Sequence, residues 1–168
     1  ISDTLLLTSP TTTDIDRKEA DRLANIAGVD LSEFGKEVLV RNDETLVKSP
    51  AELIEKDLKE FGAGQIRFAV AQIETVDRTR LEIGKLNEFA AAISARRNRE
   101  GWDFMAVLIT DVLRSDSLVF MDDAELRRGV YLAGVGRHFG PTTLWPDCVS
   151  RKKQFLPTIL KRLEEVSK

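Results

Sequence analysis

Apolar positions along this chain fall first into helical spacing, then into runs and alternations that suit strands, and finally into helical spacing again. Residues 1–7, with Leu5, Leu6 and Leu7, read as a strand already in progress. Ser9, Pro10 and the threonines 11–13 break it with a loop that offers several helix caps. A helix is predicted from Asp14 or Asp16 to Ala27, with Leu23, Ile26 and Ala27 on one side and Gly28 just past its end. A second short amphipathic helix is predicted over 31–40, carrying Phe34, Val38 and Leu39. Ser49 as N-cap, Pro50 at the first helical position and Glu52 at the third start another, predicted to reach Phe61 and stop at Gly62 and Gly64.

The period then changes. Ile66, Phe68, Val70 and Ile73 predict a mostly buried strand within 65–75. The longest helix is predicted over 78–99, with Ile83, Leu86, Phe89, Ala90 and Ile93 at helical spacing and Gly101 ending it. Residues 104–109 are apolar without interruption, the pattern of a strand buried on both faces. Another strand is predicted over 117–121, followed by a brief helix from Asp122 or Asp123 to Arg128. The Gly-rich stretch 130–146 yields no clear element, and 155–166 closes the chain as a helix with Pro157 in its first turn. The expected fold is α/β: a central, mostly buried mixed sheet with helices on both faces, preceded by a helical linker. Polar residues 41–44 lie between two helical units and set a boundary near 40–48, giving segments 1–47 and 48–168.

Ser150-Arg151-Lys152-Lys153 is the strongest local chemical signal. Three cations just upstream of a helix repel one another and face the end where the macrodipole disfavours positive charge. They make sense around an anion, for which arginine supplies a planar fork and lysine a mobile charge, or else they form a solvated basic turn. Lys59, read at a helix C-terminus, is by itself a surface residue. Asp3, within an apolar stretch, lies on a solvated face or is held by a metal or cation. Thr110 and Asp111 end the buried strand where ligands of open α/β sheets bind; Gln72, Thr75 and Asp77 end its neighbour and share that rim, unless Asp77 instead serves as N-cap of the long helix, the reading favoured for it. His138 reads as a loop residue and Cys148 as structural.

Composition narrows the classes. The 168 residues are 42% hydrophobic and 32% charged, which excludes a disordered chain. The longest apolar run, 104–109, is far short of a membrane span. With 25 Lys and Arg against 28 Asp and Glu, the net charge of −3 gives no bulk attraction to nucleic acid. One cysteine excludes an internal disulfide and agrees with a reducing, cytoplasmic setting; one histidine excludes a zinc site built from several imidazoles. The chain starts with Ile1, and no signal-peptide pattern follows, so it is expected to be an excised piece of something longer.

Six collinear segments carry a resemblance: ISDTLLLTSP (1–10), LANIAGVD (23–30), DLKEF (57–61), AQIETVD (71–77), LITDVL (108–113) and VSRKKQ (149–154). Together they resemble the manganese-dependent (family II) inorganic pyrophosphatases of the DHH phosphoesterase superfamily, whose C-terminal part is a DHH-associated substrate-binding domain. The resemblance implies that residues 1–47 end an N-terminal metal-binding domain and its linker, and that 48–168 form the domain that closes over diphosphate. It implies that Asp3 is a metal-bridging ligand and that Lys59, Arg151 and Lys152 act catalytically, with Ser150 and Lys153 beside them on the substrate. It further implies two or more ions, Mn2+ or else Mg2+ or Co2+, bound mostly by a preceding domain through which a homodimer would form. Metal-activated water would attack diphosphate or a short polyphosphate while the cations neutralise the departing phosphate. The His-x-x-x-Asp-x-Asp and Asp-His-His motifs of that family are not in this chain, so the chain alone is expected to be inactive. Residues 129–146, with Arg137, His138 and Trp145, depart from the family pattern and imply a shift toward longer polyphosphates. The rivals are a non-catalytic phosphate-ligand-binding module and an exopolyphosphatase or phosphodiesterase of the same superfamily; no nucleic acid or membrane partner is expected.

Overall fold

A computed structural model describes residues 4–122, 137–139 and 142–166. Asp3, the helix predicted from Asp122 or Asp123 to Arg128, most of 129–146 and the side chains of Arg137 and His138 lie outside the described residues. The chain divides into two compact units, Ile1–Asp43 and Glu44–Lys168.

The first unit contains α1 (Asp14–Ala27) and α2 (Leu31–Asn42). Thr13, rather than either aspartate, is the N-cap of α1. Its hydroxyl accepts from the Asp16 N–H at 3.2 Å, while the Asp16 carboxylate accepts from the Thr13 N–H at 2.7 Å. Gly28, at φ +66°, closes α1 in the left-handed conformation that glycine adopts without strain. The strand expected over 1–7 is not present from Thr4 onward. The Ser9 N–H donates to the Thr4 carbonyl at 2.9 Å, and Leu5, Leu6 and Leu7 all have positive φ. A strand needs a neighbour, and the described residues of this unit supply none.

The second unit opens with α3 (Pro50–Lys56), shorter than predicted. The stretch read as its end is strand β1 (Leu58–Ala63), joined by the two-residue turn Gly64-Gln65 to β2 (Ile66–Thr75). Gly64 at φ +60° permits that tight hairpin. Leu58 and Phe61 have the spacing of one helical turn, but pairing with β2 overrides it. The long helix α4 (Ile83–Glu100) starts five residues later than predicted, because Asp77 caps a separate 3-10 turn, Arg78–Arg80, accepting from the Thr79 N–H at 3.0 Å. Next come β3 (Phe104–Asp111), β4 (Asp116–Met121), β5 (Arg137–Phe139) and β6 (Thr142–Trp145). A π-helical turn, Arg151–Phe155, leads into α5 (Leu156–Val166).

The six strands form one mixed sheet in the order β1-β2-β3-β4-β6-β5, with β2 and β3 parallel and all other pairs antiparallel. Every residue of β3 is buried, as its apolar run requires of a central strand covered on both sides. Alternate residues face opposite cores. Ala69, Met105, Val107 and Phe120 pack under Ile54 of α3 and under Phe89 and Ile93 of α4. Phe68, Val70, Phe104 and Leu108 pack under Phe155, Ile159 and Leu163. This second face positions the basic turn.

Ser49 closes a capping box on α3: its N–H and hydroxyl donate to the Glu52 carboxylate at 2.9 and 2.6 Å. These bonds hold the Glu52 carboxyl below its ordinary range. Ser49→Ala is expected to cost about 1 kcal/mol, read as a lower melting temperature. A depressed carboxyl stabilises above its unfolded pKa and loses that contribution as pH falls through the folded one. The gap between wild type and variant should therefore narrow as melts are taken into the acid range.

Candidate functional site

Residues 149–154 are fastened to the sheet by two glutamines. Gln72 of β2 accepts from the Arg151 N–H at 2.9 Å, and its amide donates to the Val149 carbonyl at 3.0 Å and to the Thr110 hydroxyl at 3.2 Å. Gln154 accepts from the Val149 and Ser150 N–H groups, both at 2.9 Å, and donates to the Asp147 carbonyl at 2.5 Å. Below them Ser117 donates to the Cys148 carbonyl at 2.6 Å and lies 2.9 Å from the Thr110 hydroxyl. Polar groups at this depth must pair, and these pair with the backbone of the basic turn.

The cations lie just upstream of α5, in the π-helical turn that runs directly into it. The Ser150 hydroxyl caps that turn, accepting from the Lys153 N–H at 3.3 Å. Lys152 is exposed, and among the described residues its side chain has no ion pair or hydrogen bond. Lys59 is likewise exposed and unpaired among them, but on the edge strand β1 rather than at a helix end. It pairs with Val70, so its side chain emerges on the face that carries Phe155 and α5.

Arg151 also contacts this part of the sheet. Its guanidinium Nη1 donates to the carbonyls of Asp57 at 2.6 Å and Val70 at 3.0 Å, and Nη2 donates to the Asp57 carboxylate at 3.1 Å. Lys59, two residues along from Asp57 and opposite Val70, thus shares an edge of the sheet with Arg151. One firmly held guanidinium and two unneutralised ammonium groups favour an anion with several oxygens. Sequence reasoning missed Asp57 and Gln72 as the groups that hold Arg151, since nothing in local spacing links positions 94 and 79 residues apart.

Other candidates are engaged within the fold. Asp111 is fully buried and accepts from the N–H groups of Arg78, Leu113 and Arg114 at 3.0, 3.1 and 3.0 Å, fixing the turns beyond β2 and β3. Thr110 is buried beneath Gln72, and Thr75 lies 3.3 Å from the Thr45 hydroxyl. The basic turn docks on the middle of β2, at Val70 and Gln72, rather than at the strand ends. Cys148 is fully buried, and burial pushes its thiol up to about 11. It should stay unmodified by a thiol-specific disulfide reagent at pH 8 and react on unfolding; rapid reaction of the native protein would contradict that burial.

Among the described residues there is no group of three or more His, Cys, Asp and Glu side chains suited to a metal ion. Asp3 lies outside them. A groove of about 500 Å3 in the first unit is lined by Leu7, Leu23 and Phe34, with Asp16 and Glu19 but no cation, and does not suit an anion. Among the described residues no helix is long and apolar enough to cross a membrane.

The family model for the DHHA2 domain matches residues 36–162. The chain is 38% identical over 165 residues to a protein of Lactobacillus delbrueckii subsp. bulgaricus named as a probable manganese-dependent inorganic pyrophosphatase, covering 98% of this chain and 53% of that one. A protein of the same name from Exiguobacterium is 40% identical over 159 residues, covering 94% of this chain and 50% of its own length. Among solved structures, a Methanococcus jannaschii protein assigned to the family II inorganic pyrophosphatases superposes with a TM-score of 0.78 at 31% identity, over 96% of this chain and 51% of that one. The chain thus spans about half the length of the curated relatives it matches.

Proposed function

The chain belongs to the DHHA2 domain family, and on that premise we propose that it is the C-terminal, diphosphate-clamping part of a manganese-dependent inorganic pyrophosphatase. The observation that carries this reading is that Arg151 reaches across the fold to Asp57 and Val70, on the same stretch of the β1–β2 pair that carries Lys59. Residues 48–168 are the substrate-binding domain, and 1–47 are the end of the metal-binding domain with its linker. The uncovered apolar residues Ile15 and Ile26 of α1 support that second assignment.

In this reading Arg151, Lys152 and Lys59 bind diphosphate oxygens and neutralise the charge that builds on the departing phosphate. Ser150 and Lys153 complete the turn. The manganese ions belong to the preceding half of the protein, with Asp3 as this chain's contribution to them. That half also forms the homodimer contact, and the enzyme works in the cytoplasm, where an unpaired buried thiol such as Cys148 stays reduced.

The test is phosphate release from diphosphate with manganese, measured on this chain and on a protein extended at its N-terminus to the relatives' length. Tripolyphosphate serves as second substrate. Turnover of diphosphate by the longer protein alone is the expected result. Binding without turnover by both would make the domain a phosphate-binding module. Faster turnover of tripolyphosphate would move the assignment to an exopolyphosphatase.

A further inference from the structure

Arg151 is held far more tightly than an anion-binding arginine at a surface needs to be. Its side chain is 13% exposed, whereas Lys59 and Lys152 are exposed. Of the five N–H donors of a guanidinium, three are engaged: two on Nη1 with the Asp57 and Val70 carbonyls, and one on Nη2 with the Asp57 carboxylate. Two donors remain, one on Nε and one on Nη2, and among the described residues they have no partner. A flexible arginine would have to be ordered by its ligand; this one is ordered beforehand.

Asp57 supplies two of the three anchors, one from its main chain and one from its side chain. It stands between the end of α3 and the start of β1, with φ −140° and ψ 48°, where its carbonyl has left the helix and falls outside the β1–β2 ladder. The Arg151 guanidinium satisfies that carbonyl. Its carboxylate is 45% exposed, so as a bare charge it would repel an arriving anion.

We propose that Asp57 is a positioning residue: it locks Arg151 at the head of β1, so that its two remaining donors are preset for a phosphoryl group beside Lys59 and Lys152. The preset-anion part rests on the diphosphate reading above; the lock on Arg151 does not.

The test uses Asp57→Ala and Asp57→Asn in this chain, with two readouts. The first is nitrogen-detected NMR of the Arg151 guanidinium without ligand. Restricted rotation, seen as separate Nη signals, is expected in wild type and in Asp57→Asn, whose amide oxygen still accepts from Nη2. Asp57→Ala keeps both main-chain carbonyl anchors and loses the carboxylate, so its signals should merge at a lower temperature than those of wild type. The second readout is calorimetric titration with diphosphate. Asp57→Ala is expected to weaken binding about tenfold, the scale of one charge-assisted hydrogen bond, and Asp57→Asn to recover most of that loss.

Tighter binding by both variants would overturn the proposal, because Asp57 would then act only as a repelling charge. Nη signals in Asp57→Ala that merge no earlier on warming than those of wild type would overturn it as well, whatever the titration shows. Were wild type to show a locked Arg151 and no heat with diphosphate, the diphosphate reading would fall and the lock would stand. If Asp57→Ala does not fold, Asp57→Ser, which likewise keeps the carbonyl anchors and shortens the side chain, takes its place against the same two readouts.

Discussion

Alanine at both Lys59 and Lys152 is expected to weaken diphosphate binding by about 100-fold or more, with the melting temperature of the protein nearly unchanged. A hydrogen bond to a charged group contributes roughly 1.5–3 kcal/mol, or 10- to 100-fold each, and solvent exposure of both lysines argues for the lower end. Neither side chain has a hydrogen bond or ion pair among the described residues, so its removal leaves no buried group unsatisfied. Raising ionic strength should weaken wild-type binding much more than binding by the double variant, because screened charges are what the variant lacks. Arg151→Ala differs in kind. It removes the donors from the Asp57 and Val70 carbonyls, so affinity and stability should fall together. Titration and melting of the three variants separate these cases. An unchanged affinity in the lysine double variant would remove both residues from the site.

The largest effect on stability is expected from Asp111→Ala. This carboxylate is fully buried, accepts three backbone N–H bonds and has the Arg114 guanidinium 3.4 Å away. Removing it strands three donors at the junction of β2, β3 and the 3-10 turn, at a cost of roughly 3–5 kcal/mol. For a unit of this size that corresponds to a fall of about 10–20 °C in melting temperature. The expectation also decides between two readings of the residue, since a rim ligand would leave stability intact and lose affinity. Thermal melts followed by circular dichroism provide the check, and a shift under about 2 °C would return Asp111 to the list of ligands.

Which features were legible in the sequence follows from how local their causes are. The capping box of Ser49 and Glu52, the closure of α1 at Gly28 and the end of α4 at Gly101 depend on residues within one turn, and all are where the chain's chemistry puts them. The unbroken apolar run from Phe104 marks the central strand, because only a strand covered on both faces buries every side chain. The strand β1 was not legible. Leu58 and Phe61 fit a helix as well as a strand, and the hairpin with β2 decides between them. The same limit hid the late start of α4, where Asp77 caps a turn of its own. At the candidate site the basic cluster was visible, but the division of labour within it was not. Arg151 is an anchored group, and Lys152 a free one among the described residues, only because Asp57, Val70 and Gln72 reach position 151 across the fold.

The most direct test of the central claim is a diphosphate titration of this chain followed by amide NMR. The expected result is saturable shifts concentrated at residues 57–61, 70–72 and 149–154, absent when Lys59 and Lys152 are both alanine. Shifts that fall elsewhere, or that persist in the double variant, would contradict the assignment of this edge of the sheet as the diphosphate clamp.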